Sequence, residues 1–215
     1  MAPSRLGRFR IATAGGRSVG HGDFLGRPAL LYGWASWHPS REALGDLEAF
    51  HRKHAGKVEV ASIAFDTEGP GRPMRYYTAA AGTHTPLIDA TFSLSRVWGI
   101  HSLPFWFLTD EDGCVQARGE DFSIKAAEAA LRKRAKHVKE TPRRRNRTLE
   151  RVELLMQTAG TFLSRGRTDE AVGCLREAES LDPGNALLRD QRLALANPKR
   201  FYSGPIDLTW LAGQK

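Results

Sequence analysis

At 215 residues, with 41% apolar and 26% charged side chains, the chain has the composition of a soluble protein with one ordinary core and room for a small accessory unit. No apolar run approaches the roughly eighteen residues that a membrane span needs, so no membrane partner is expected. The net charge of +8 is concentrated: Arg132 to Arg151 holds ten Lys or Arg against Glu140 and Glu150, and the rest of the chain balances.

The stretch before Gly26 carries Arg5, Arg8, Arg10 and Arg17. It lacks the apolar centre and small-residue cleavage site of a secretory signal, so cytoplasmic residence is expected. Phe9 to Ala14 alternates apolar residues with arginine and predicts a short edge strand. Pro28 to Trp34 is a continuous apolar run, the pattern of a strand buried on both faces of a sheet. A helix is expected from Pro39 to Ala55, with the proline in its first turn and Leu44, Leu47 and Phe50 facing inward. Lys57 to Phe65 then reads as a second central strand, which makes the helix the crossover of a βαβ unit.

Pro73 to Ala81 predicts another helix, Thr85 to Asp89 an extended piece, and Ser93 to Trp98 a helical turn. Phe105–Thr109 and Cys114–Arg118 flank Asp110-Glu111-Asp112-Gly113, a β-hairpin pattern. Ser123 is placed to cap a helix over Ile124 to Lys136. Past Pro142, Leu155, Ala159, Phe162, Gly166, Ala171, Leu175, Ala178 and Pro183 resemble one tetratricopeptide repeat, closed by Leu181-Asp182-Pro183-Gly184-Asn185. Thr168 is expected to cap its second helix and Asn185 a third, Ala186 to Ala196. Solenoids need about three repeats to bury their faces. This unit must therefore pack on the preceding domain, on another copy or on a partner. The tail from Phe201 to Trp210 carries too many large apolar groups to hang free, and it is expected to lie across one of these surfaces.

Two segments carry a family resemblance. Trp34-Ala35-Ser36-Trp37-His38-Pro39-Ser40-Arg41 resembles the Trp-Ala-(Ser/Thr)-Trp-Cys-Pro-Pro-Cys segment of thioredoxin-like proteins of the TlpA/ResA (redoxin) type. Gly99-Ile100-His101-Ser102-Leu103-Pro104, followed by Phe105 to Asp110, resembles that family's cis-proline loop and the strand after it. The resemblance spans about Gly26 to Lys136. It implies an α/β thioredoxin-like three-layer fold over residues 1–138. A basic connector (139–147), a small all-α tetratricopeptide-like unit (148–197) and a docking tail (198–215) would follow. Where the family holds its two cysteines, this chain has His38 and Arg41.

A thiol–disulfide exchanger needs a thiolate at a helix N-terminus and a second thiol to release the mixed disulfide. Here the cysteines are Cys114 and Cys174, 60 positions apart, and they read as separate reduced thiols. Ser40 has no evident base, so no catalytic residue is assigned. What remains is a groove whose candidate binding residues are Trp37, His38, Ser40 and Arg41 on one side and Leu103, Pro104 and Trp106 on the other. The resemblance implies that Trp37 lies at the surface. His38, Arg41 and the helix amides suit an anion or carboxylate, and the Pro104 loop implied by the resemblance offers a backbone edge to a peptide. The plainer reading makes Trp34, Phe105 and Phe107 core residues and His38 a helix cap. His51 and His54 have no third ligand at recognisable spacing, so neither metal nor cofactor is expected. Arg143, Arg144, Arg145 and Arg147 are candidates for anion or nucleic-acid contact, or part of a solvated connector. The preferred reading is a redox-inactive binding or adaptor protein with a protein or peptide partner, homo-oligomerisation through the helical unit remaining open. The alternatives are a thiol–disulfide oxidoreductase or peroxidase of the redoxin class, and a nucleic-acid-associated protein.

Overall fold

The order of elements in the computed structural model, which describes residues 5–132 and 146–214, follows the alternation of apolar patterns along the chain. Strands β1 (Arg10–Thr13), β2 (Ser18–Gly20) and β3 (Ala29–Trp34) precede α1 (Leu44–Lys53) and β4 (Glu59–Ala64). Then come α2 (Pro73–Ala79), β5 (Thr85–Ile88), α3 (Ser93–Trp98), β6 (Phe105–Thr109), β7 (Val115–Gly119) and α4 (Ile124–Leu131). They build one 7-stranded mixed sheet in the order β2-β1-β5-β4-β3-β6-β7. This is the α/β thioredoxin-like fold, extended by C-terminal helices.

Strand β3 is an interior strand, between β4 and β6, and every one of its residues is buried. It pairs parallel to β4, Gly33 opposite Ile63, and antiparallel to β6, Gly33 opposite Phe105. Glycine is required there: a Cβ on Gly33 would stand 2.0 Å from the Phe105 ring. The strand near the N-terminus is not an edge. β1 pairs with β2 on one side and β5 on the other, so the three-residue β2 takes the edge. The expected helix from Pro39 also divides. Pro39–Ala43 is a 3₁₀ turn, and α1 begins only at Leu44. The tighter turn is closed by the Arg41 N–H donating to the His38 carbonyl at 3.2 Å.

The C-terminal unit comprises α5 (Arg147–Ser164), α6 (Thr168–Leu181), α7 (Ala186–Ala196), α8 (Pro198–Tyr202) and α9 (Leu208–Ala212). Asn146 caps α5 by accepting from the Thr148 and Leu149 amides, and Asn185 caps α7 by accepting from Leu187. Thr168 does not cap α6: it is the first helical residue, and Arg167 holds the cap position without a side-chain bond. A short turn and the Arg151–Glu177 ion pair set α5 and α6 antiparallel. Ala159, Ala171 and Ala178 are all 0% exposed, which lets the two backbones approach closely.

Alternation along the strands divides the core in two. Leu30, Tyr32 and Trp34 face Leu44, Leu47 and Phe50 of α1 and Ala127 and Ala130 of α4. Leu31, Ile63, Phe65, Phe105 and Phe107 face α3, whose six residues are too few to cover them. Val152, Met156, Leu175, Leu187, Leu188 and Phe201 from the C-terminal helices join the same cluster. Each large side chain so buried contributes about 1.5–3 kcal/mol. The second unit thus supplies a layer of the first unit's core. No helix among the described residues is long and apolar enough to cross a membrane.

Candidate functional site

The segment Trp34–Arg41 leaves the centre of the sheet at the end of β3 and turns into the 3₁₀ start of α1. Its backbone is anchored on the loop after β4. Phe65 N–H donates to the Trp34 carbonyl at 2.8 Å, Ser36 N–H donates to the Asp66 carboxylate at 3.0 Å, and the Ser36 hydroxyl bonds the same carboxylate. Trp37 is not at the surface as its sequence position suggests. It is 1% exposed, and its indole N–H donates to the Phe65 carbonyl at 3.0 Å. An indole in that slot gains both apolar burial and a partner for its polar atom. Ser40 is buried as well; its carbonyl accepts from the Tyr32 hydroxyl at 2.8 Å.

His38 is half-buried and caps the turn, Nδ1 accepting from the Ser40 N–H at 3.1 Å. Burial first, and the Arg41 charge second, push its pKa down to about 4. The imidazole is therefore neutral, as an accepting Nδ1 requires. The Ser40 amide that an anion would have used is already taken.

Arg41 reaches away from the sheet to the C-terminal tail. Nη1 donates to the Ser36 carbonyl at 2.6 Å, the Phe201 carbonyl at 3.0 Å and the Tyr76 hydroxyl at 3.1 Å, while Nη2 donates to the Gly204 carbonyl at 3.0 Å. The guanidinium also lies 4.6 Å from the Tyr76 ring centroid. Phe201 is 1% exposed, Tyr202 donates to Glu68 at 3.3 Å, and Arg72 stacks on the Tyr202 ring at 4.0 Å. Phe201, Tyr202 and Gly204 thus contact the motif loop and the segment after β4. Around it, Thr67 N–H donates to Gln191 of α7 at 3.1 Å, and Gly160 of α5 packs against the Thr67 carbonyl. Asp66, fully buried at this joint, has its pKa pushed up to about 7, chiefly by burial, with Glu68 adding to it and the Ser36 bonds opposing it.

The other groove candidates separate. Leu103–Pro104 is a cis peptide bond, in the position the resemblance implies. Pro104 lines a cavity of about 330 Å³ with Ile100, His101, Phe105, Phe107 and Arg118; His38 and Arg41 do not line it. Leu103 is half-buried against the cluster that holds Trp37. Trp106 belongs to the opposite face of the sheet, its indole donating to the Asp121 carbonyl at 3.0 Å. Arg143, Arg144 and Arg145 lie outside the described residues. Arg147 is exposed at the first position of α5. Asp66, Tyr76, Phe201 and Gly204 were not among the candidates; their approach to residues 36–41 spans long sequence distances that no local spacing encodes.

Neither thiol is near activation. Cys114 is 1% exposed, and burial together with the Asp110 charge pushes its pKa up. It follows β6 while Pro104 precedes it, so about 16 Å of strand lies between them. Burial and then Glu177 push Cys174 up as well. Neither cysteine forms a disulfide. His54 pairs with Glu128 at 3.2 Å and packs on Phe50. Among the described residues, no cluster of three or more His, Cys, Asp or Glu could hold a metal.

No protein-family model matches the chain, and no curated protein matches it. Solved structures do. A Chlorobium tepidum protein assigned as the thiol:disulfide interchange protein DsbE superposes with a TM-score of 0.55 at 23% identity, over 61% of this chain and 95% of its own. A secreted Mycobacterium tuberculosis disulfide oxidoreductase homologous to DsbE of E. coli gives 0.52 at 18%, over 57% and 93%. StoA from Bacillus subtilis gives 0.50 at 18%, over 60% and 99%. Likeness at these identities establishes the thioredoxin-like fold, on which function is set by the site.

Proposed function

We propose that this chain is a redox-inactive, thioredoxin-like binding protein, in which the loop corresponding to a redox motif holds two structural units together and the helical unit meets a protein partner. The single observation that carries this reading is the chemistry of residues 36–41. No sulfur stands in the loop; His38 spends its free lone pair on the Ser40 amide and Arg41 spends its donors on backbone carbonyls. A thiolate nucleophile is therefore lacking where the fold would activate one. The α5–α6 hairpin and α7 are read as one tetratricopeptide-like repeat with a third helix.

The structural neighbours favour a second reading, a thiol–disulfide oxidoreductase. Insulin reduction and peroxide turnover by the wild-type chain and by the Cys114→Ser/Cys174→Ser double variant separate the two. The binding-protein reading expects both proteins to stay at background. Cysteine-dependent turnover supports the oxidoreductase instead.

A further inference from the structure

The tail shows what the motif loop recognises. Phe201 fills a buried site, Tyr202 stacks on Arg72, and the carbonyls of Phe201 and Gly204 meet the Arg41 guanidinium at 3.0 Å each. Among the described residues no carboxylate forms an ion pair with Arg41; its partners are neutral oxygens. A carboxylate adds opposite charge and a bidentate fit to what a neutral carbonyl offers a guanidinium. The strap has little regular structure: α8 and α9 are five residues each, Ser203, Gly204 and Pro205 are exposed, and Ile206, Trp210 and Leu211 are only partly buried against the core. Short helices with exposed backbone open at low cost.

We propose that the surface formed by Arg41, Tyr76, Glu68 and Arg72 is a binding site for the carboxyl terminus of a partner protein carrying an aromatic residue three positions before its last residue. Residues 198–204 fill this site in cis. A chain ending at the position of Gly204 places a carboxylate oxygen where the Gly204 carbonyl now sits; it keeps the contacts of Phe201 and Tyr202 with the loop and gives up those of Asp207 and Trp210 with Arg200 and Phe201. That charge lets an external terminus compete with a tethered one, whose effective concentration is on the order of millimolar. The inference rests on reading the chain as a redox-inactive binding protein, and it adds the loop as a second contact surface. The turnover assay decides that reading separately, because peptide displacement is measured without any redox couple.

The test inserts a protease site between Asn197 and Pro198 of the full chain and cuts it after folding. Synthetic Lys-Arg-Phe-Tyr-Ser-Gly is then added, ending either in a free carboxylate or in an amide. The acid is expected to displace the cut tail at about 10-fold lower concentration than the amide, a difference that Arg41→Ala abolishes. Equal potency of the two, or displacement by neither, overturns the proposal. If the cut chain fails to hold its fold, the uncut protein supplies the measurement. Amide hydrogen exchange across residues 199–204 of the uncut chain should then be faster with the acid than with the amide, and no acceleration overturns the proposal equally. Light scattering that shows a dimer dissociated by the acid peptide assigns the site to a second copy's tail and overturns the partner assignment.

Discussion

On one face of the sheet, Leu30, Tyr32, Trp34 and Trp106 are covered by α1 and α4; on the other, Leu31, Ile63, Phe65 and Phe107 are covered by the six-residue α3 and by helices that begin at Arg147. The first face is finished by neighbours in the chain. The second is finished only when a distant segment returns. The lesson is that a helical unit resembling an appended interaction module can be a structural layer, because a short helix leaves apolar surface that something must cover.

The largest expected effect tests that difference directly. Ending the chain at Arg132 uncovers the second face, and the remainder should lose cooperative thermal unfolding by circular dichroism. A sharp transition near the full-length temperature would sink the layer argument. Paired truncations sharpen it. Phe50→Ala on the first face and Phe65→Ala on the second should each cost about 3–5 kcal/mol in denaturant unfolding. Only Phe65→Ala should also speed amide exchange in α7, since Phe65 shares a cluster with Leu187 and Leu188.

The joint adds a pH dependence. Asp66 has a folded pKa of about 7, above its ordinary value of 3.8, so the folded chain holds the proton longer than the unfolded one. Its contribution is most favourable below pH ~4 and is lost as pH rises through 7, on the order of 4 kcal/mol across that window. Asp66→Asn should flatten the stability profile between those limits, and an unchanged profile would show that Asp66 does not titrate there. The smallest effect is at Gly160, where a Cβ would meet the Thr67 carbonyl at an ordinary 3.5 Å. Gly160→Ala should stabilise by about 0.5–1 kcal/mol through helix propensity. Gly160→Leu should destabilise by about 1–3 kcal/mol by pushing the two units apart.

Much of the fold was legible in the chain. The apolar run before Trp34, the Leu44–Leu47–Phe50 stripe and the hairpin around Gly113 each encode an element through local periodicity. The cis peptide at Pro104 followed from family resemblance and not from spacing. The candidate site was legible only in part. His38 as a cap follows from its place before Pro39. The burial of Trp37 does not follow from its neighbours, because its indole is held by the Phe65 carbonyl, 28 residues away, inside a core cluster that the C-terminal helices share. Trp106 was grouped with the groove by proximity in sequence, but strand alternation turns it to the other face.

The sequence by itself determined which segments become strands and helices, and that no cysteine occupies the motif loop, since both depend on residue identity and short-range pattern. Only the tertiary structure decided what that loop touches. Arg41 meets Phe201 and Gly204, and Ser36 meets Asp66, through contacts 160, 163 and 30 residues apart in the chain. Such pairings are selected by packing the whole core, where the area buried across all elements outweighs the preference of any one of them.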